Sequence, residues 1–182
     1  MKPRIIYRLG IMLCLLLSAS LVQAELISDT ESGKKTMSKF MINLAKFVTW
    51  PESKFAGEAE PYKYCLMGND HFGDVLDSAV SEKQAKKRGF SIERLGIADL
   101  EAAKSCHVVF LGVESADQAT DVIDGLNGLP ILTVGEAEQF AQYGGMVGFM
   151  GEGREVALAV NKGRLEGAGL KASSRLYRAS NR

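Results

Sequence analysis

Two kinds of hydrophobic spacing alternate along the chain. In Cys106-His107-Val108-Val109-Phe110-Leu111-Gly112 the apolar residues run without a break to a glycine. That pattern predicts a strand covered on both faces, as in the middle of a parallel sheet. Residues 62–67, which include Cys65, predict a further strand, and Ile131-Leu132-Thr133-Val134 a short buried one. Phe90, Ile92 and Leu95 share their segment with Ser91, Glu93 and Arg94, which suits an outer strand.

Between these strands the period is helical. Met37, Phe40, Met41, Leu44, Ala45, Phe47 and Val48 form an amphipathic stripe, opened by a capping box of Ser28 and Glu31. Trp50-Pro51 ends it, because a residue before proline is driven from the helical region. Residues 51–61 read as a loop. Phe72, Val75, Leu76, Ala79 and Val80 predict a second helix after the turn Gly68-Asn69-Asp70, with Asp70 as N-cap and Lys83, Lys86, Lys87 and Arg88 as a solvated end. Leu100 and Ala103 give a helical turn. A box of Ser115 and Gln118 opens a helix over Ala116, Ala119, Val122, Ile123 and Leu126 that stops at Gly128 and Pro130. Thr133 with Glu136 reads as the cap of another, carrying Ala137, Phe140 and Ala141 and stopping at Gly144.

Apolar runs at 146–150 and 156–160 flank Gly151-Glu152-Gly153-Arg154-Glu155, which predicts a β-hairpin. Asn161-Lys162-Gly163-Arg164-Leu165 leads to a glycine-broken turn around Gly167 and Gly169, followed by a basic helix from about Ala172. The expected fold is an α/β three-layer sandwich: a mostly parallel sheet with a C-terminal β-hairpin and helices on both faces.

The N-terminus changes the setting. Lys2, Arg4 and Arg8 precede the run Ile11-Met12-Leu13-Cys14-Leu15-Leu16-Leu17, and Val22-Gln23-Ala24 follows, the layout of a cleaved signal peptide. The run is too short for a membrane anchor. Residues 1–24 are therefore expected to be removed, leaving a single α/β domain of residues 25–182 that does not span the membrane. Cleavage takes three cations and no acids, so 22 basic and 22 acidic residues become 19 and 22. Nothing in that balance points to nucleic acid. Cys65 and Cys106 remain, and in an oxidising compartment they are expected to pair, closing a loop worth about 4 kcal/mol. A zinc site lacks ligand spacing with His71 and His107.

No catalytic residue, metal site or cofactor is expected. His107 opens the buried strand, and the acids beside His71, Asp70 and Asp74, fit capping and the helix dipole. Gly68 and Gly73 flank a strand-to-helix turn, but Asp74 stands where a phosphate loop needs lysine. Nucleophile-elbow, zinc-helix and dinucleotide motifs are missing.

Several segments together resemble the YfiR/HmsC family. They are Phe40-x-x-Asn43-x-x-Lys46-Phe47-x-x-Trp50-Pro51, Cys65-Leu66-x-Gly68 with Phe72-Gly73, and Cys106-His107-Val108-Val109-Phe110-Leu111. Pro130-Ile131-Leu132-Thr133-Val134, Phe140-x-x-x-Gly144-Gly145-Met146 and Gly167-x-Gly169-Leu170-Lys171-x-Ser173-Ser174 complete the set, spanning about residues 34 to 178. The resemblance implies a periplasmic, homodimeric repressor that binds the periplasmic sensor region of an inner-membrane diguanylate cyclase, or of a related membrane signalling protein. Repression would lower cyclic di-GMP and biofilm formation. It also implies the disulfide Cys65–Cys106. A second cysteine pair found near the hairpin in some members is missing here, which puts redox control through such a bond in doubt. Phe47 and Trp50 are the expected partner-binding residues, because an aromatic anchor is a frequent hot spot. The competing reading is a periplasmic small-molecule binding module feeding a membrane signalling or transport partner. Its ligand would sit beyond the strand ends at Gly68-Asn69-Asp70, Gly112-Val113-Glu114 and Gly135-Glu136.

Overall fold

The computed structural model describes residues 26–81, 83–113, 115–136, 138–152 and 155–180. The leader expected at residues 1–24 and Cys14 within it lie outside them. No helix among the described residues is long and apolar enough to cross a membrane.

The chain opens with a short 3-10 turn, Ile27–Asp29, and enters helix α1, Glu31–Phe47. Then come β1 (Val48–Thr49), β2 (Tyr62–Gly68), α2 (Asp74–Val80), β3 (Phe90–Leu95), α3 (Leu100–Ala103) and β4 (Val108–Gly112). The second half holds α4 (Ala116–Gly125), β5 (Leu132–Glu136), a 3-10 turn Glu138–Ala141, β6 (Val147–Glu152) and β7 (Glu155–Val160). It closes with α5 (Lys162–Gly167), β8 (Lys171–Ala172) and α6 (Ser174–Ser180).

Six strands form one sheet in the order β3-β2-β4-β5-β6-β7, parallel throughout except for the β6–β7 hairpin. The hairpin's turn residues, Gly153 and Arg154, lie outside the described residues. All five residues of β4 are buried, as its unbroken apolar run requires, and half-buried β3 is the outer strand. Strand alternation divides the interior into two cores. Tyr64, Leu66, Val108, Phe110, Leu132 and Val134 meet α1, α2 and α6 on one face. Cys65, Met67, Val109 and Leu111 meet α3 and α4 on the other. The fold is thus an α/β sandwich of three layers.

The departures from the sequence reading have local causes. Thr30, not Ser28, caps α1: its Oγ1 accepts from the Gly33 amide at 2.9 Å. The helix ends at Phe47 because Val48 and Thr49 pair with Ala172 and Lys171, an antiparallel contact between distant ends of the domain that no local pattern announces. Thr133 and Glu136 cap nothing; both belong to β5, where the Thr133 hydroxyl accepts from the Met146 amide. The helix expected after them is the single turn Glu138–Ala141. Asn161 caps a short helix that the sequence reading leaves unassigned, its Oδ1 accepting from the Arg164 amide at 3.1 Å, and the last helix begins only at Ser174. Ser115 precedes α4 but makes no capping bond with its side chain.

The basic end of α2 is also not simply solvated. Arg88 is buried, donating to the carbonyls of Gly57 and Glu60 and lying 3.9 Å over the Phe55 ring. Lys86 donates to the Val48 carbonyl at 2.9 Å.

Cys65 and Cys106 are joined by a disulfide with Cα atoms 6.0 Å apart. Cys106 stands just ahead of β4, so the bond ties β2 to the turn that feeds the central strand. Reduction is expected to lower unfolding stability by about 4 kcal/mol, read as a shift of the urea midpoint with and without reductant. An unchanged midpoint would mean that the bond constrains nothing that unfolding releases.

Candidate functional site

Three places hold the residues singled out above. The first surrounds Trp50, which Pro51 and the β1–β8 pair direct inward. Its ring is 3% exposed, 5.4 Å from the Tyr62 ring, and its Nε1–H donates to the His107 carbonyl at 3.0 Å. An anchor for a partner must be accessible, so the structure corrects the expectation for Trp50: it is an interior residue. Phe47 is half-buried against the same core.

His107 is the centre of this cluster. Its Nδ1 accepts from the Lys63 amide at 3.0 Å, and its own amide donates to the Lys63 carbonyl at 2.8 Å. Phe55 stacks on the ring at 4.4 Å. Burial, then the charge of Lys54, with Arg88 and Lys63 adding to it against the opposing pull of Glu60, lowers the imidazole pKa to about 4. The ring is therefore neutral at neutral pH, with its proton on Nε2, which has no hydrogen-bond partner. Residues 51–61 form a strap over the cluster, held by Phe55 and by Lys54, whose Nζ donates to the Lys104 carbonyl at 2.8 Å. A neutral, enclosed imidazole committed to a backbone amide is a structural residue.

The second place is the carboxyl edge of the sheet. Strand order reverses between β2 and β4, where open α/β sheets hold ligands. Here that crevice is filled by main chain. The Asn69 amide donates to the Gly112 carbonyl at 2.8 Å, and a Cβ added at Gly112 would lie 1.9 Å from the Asn69 carbonyl oxygen. Near β5 and the start of β6, the Phe140 ring fits between Gly135 and Gly145, 2.3 and 2.1 Å from where their Cβ atoms would be. Asp70 Oδ1 accepts from the Phe72 and Gly73 amides, so a carboxylate occupies the seat an anion would need. Its other oxygen takes Arg94, which also holds Asp77. Burial alone would push Asp70 up; Arg94 and the two amides hold it below the usual carboxylate range.

The third place lies at the same edge and was not legible in the sequence. His71 Nδ1 is 2.7 Å from Glu136 Oε2 and 3.4 Å from Ser28 Oγ, and Glu136 Oε1 accepts from the Ser28 amide at 2.7 Å. Burial would raise the Glu136 pKa, but the bonds from His71 and Ser28 overcome it and hold the carboxylate below its ordinary value. Serine, histidine and carboxylate are the components of a hydrolytic triad, yet the geometry is wrong for one. A triad needs the nucleophile and the orienting acid on opposite ring nitrogens, whereas here both meet Nδ1. The group is a latch that fastens the start of the fold to the end of β5. Its members are separated by 43 and 65 residues, so no spacing rule could have joined them.

Among the described residues no cluster of three His, Cys, Asp or Glu side chains is arranged to hold a metal ion. A groove of about 440 Å³ does open between α1 and α2, lined by Ser38, Lys39, Val75 and Ala79 among others.

The acid response follows from His107. Its pKa falls from 6.5 in the unfolded chain to about 4 in the folded one, so between those values the unfolded chain binds more protons. Stability should therefore rise with pH from about 4 to 6.5. His107→Gln should flatten that segment and leave the fall at lower pH to which Glu136, Asp70 and Asp77 contribute. Urea midpoints across this range would test it; an equal slope in the variant would contradict it.

A comparison with protein families matches residues 34–181 to the family described as YfiR/HmsC-like.

Proposed function

The chain belongs to the YfiR/HmsC-like family of periplasmic regulators, and we propose that it represses an inner-membrane diguanylate cyclase by binding that enzyme's periplasmic sensor region. The match over residues 34–181 carries this reading. In it, a cleaved leader at residues 1–24 delivers the protein to the periplasm, where it acts as a homodimer. It does no chemistry of its own.

Repression of this kind is linkage across a bilayer. The protein must prefer the inactive arrangement of the sensor region, and only that difference in affinity can lower the production of cyclic di-GMP inside the cell. A rigid binder serves this better than a soft one, since less conformational freedom is lost on association. The disulfide, the His107 cluster and the Ser28–His71–Glu136 latch supply such rigidity. The filled sheet edge supports the same choice over a small-molecule receptor, because the usual ligand seat between β2 and β4 holds main chain. Phe47 and Trp50 take an indirect part. Trp50 packs beneath the strap of residues 51–61, and we assign the strap's outer surface, with half-buried Phe47, to the partner.

Deleting the gene should raise cyclic di-GMP and biofilm formation, and the protein should capture a cyclase-domain membrane protein from solubilised inner membranes. Unchanged cyclic di-GMP together with capture of no such protein would refute the reading.

A further inference from the structure

Charge is divided between the two faces of the sandwich. On the α1 layer, Lys35, Lys39 and Lys46 follow one another along the solvent side of the helix, all exposed. Lys171 on β8 joins them through the β1–β8 pairing, and α6, whose Leu176 is buried in the same core, adds exposed Arg175 and Arg178. Helix α6 contains no acidic residue. Two carboxylates of this layer, Glu31 and Asp74, sit at one end, beside the groove between α1 and α2; Glu31 is paired with Lys35 at 3.3 Å, Asp77 is held by Arg94, and Glu166 on α5 is 3.7 Å from Lys162. From Lys39 onward the exposed charges of α1, β8 and α6 are all basic.

On the opposite face, helix α4 exposes Asp117, Asp121 and Asp124 and contains no lysine or arginine, although Asp124 is 3.7 Å from Arg164 and the end of α3 exposes Lys104 beside Glu101. A chain whose mature form carries more acids than bases has thus separated its charges across its own thickness.

We propose that the α1–β8–α6 face docks on the surface of an anionic phospholipid bilayer. The cations are spread out: Lys39 to Lys46 alone span about 10 Å of helix. Such a spread fits a plane of negative headgroups better than a single anionic ligand. A protein partner would call for aromatic or aliphatic anchors, and lysine is depleted in the cores of protein interfaces. Tyr143, the one exposed large hydrophobic residue among those described, precedes β6 and belongs to none of α1, β8 and α6. Without an apolar anchor, attachment is electrostatic, reversible and sensitive to salt. The acidic α4 face would turn away from the lipid, orienting the molecule as well as concentrating it. The inference goes beyond the assigned regulatory role and does not depend on which membrane protein is the partner.

The test is sedimentation of the protein, purified as it accumulates in cells, with vesicles of phosphatidylglycerol and phosphatidylcholine or of phosphatidylcholine alone. Binding is expected only to the anionic vesicles at about 0.1 M salt, and should vanish near 1 M, where the Debye length falls to about 3 Å. Replacing Lys39, Arg175 and Arg178 together by glutamine should lower partitioning roughly fivefold per cation, on the order of a hundredfold in all. Asp117→Asn with Asp121→Asn should not lower it, and the thermal midpoint of each variant would establish that it folds. Equal binding to neutral vesicles, no binding to anionic ones, or undiminished binding by the triple variant would overturn the proposal. So would a triple variant that loses only capture of the solubilised membrane protein, since the face would then serve a protein.

Discussion

One side chain does the work of a backbone group at the centre of this fold. Where the chain enters β4, the Lys63 amide finds no carbonyl in register and bonds instead to the imidazole Nδ1 of His107. The same residue's amide returns a bond to the Lys63 carbonyl, and its carbonyl accepts from both Trp50 and the Leu132 amide. A buried amide without an acceptor costs about 1 to 3 kcal/mol, so the ring is held in this role by the penalty of leaving it. Everything nearby serves to keep it neutral and immobile. The disulfide fixes the preceding residue, Phe55 stacks on the ring, and Arg88 covers Phe55.

This arrangement explains why some of the molecule could be read from its sequence and some could not. The unbroken apolar run of β4, the half-polar run of β3 and the two cysteines are local signals, and each led to the correct element. Trp50 and Arg88 misled because residue type was used as a guide to exposure. An indole beside proline suggests an anchor and an arginine in a basic run suggests solvent, but both are drawn inward by partners about 30 to 60 residues distant. The pairing of β1 with β8, the Ser28–His71–Glu136 latch and the capping of α5 depend on contacts of the same long range or on one short polar side chain. Thr133 and Glu136 imitated a capping box because both residue types are also used for buried hydrogen bonds.

Among the described residues, the side chains that could take part in chemistry are committed to bonds that hold the fold. The crevice where this class of sheet commonly receives a ligand is closed by two loops in direct main-chain contact, which only glycine at 112 permits. The histidine that has acid and hydroxyl neighbours uses one nitrogen for both, and the other histidine is spent on the backbone. What remains available is surface: a strap positioned by Trp50, and two oppositely charged faces set by α1 with α6 and by α4. Family membership as a periplasmic regulator and a charge division suited to a membrane surface are consistent with each other. If the proposed function holds, the target is embedded in lipid and the protein would gain from being held and oriented close to it.

Native-state amide hydrogen exchange tests the central claim most directly, at Lys63, His107 and Leu132. If His107 locks β2, β4 and β5 together, these three amides should exchange only through global unfolding, with the full unfolding free energy of the protein. Exchange of the Lys63 amide at the rate of the surrounding loop, with β4 still protected, would show that the imidazole is not its acceptor and that the sheet does not depend on it.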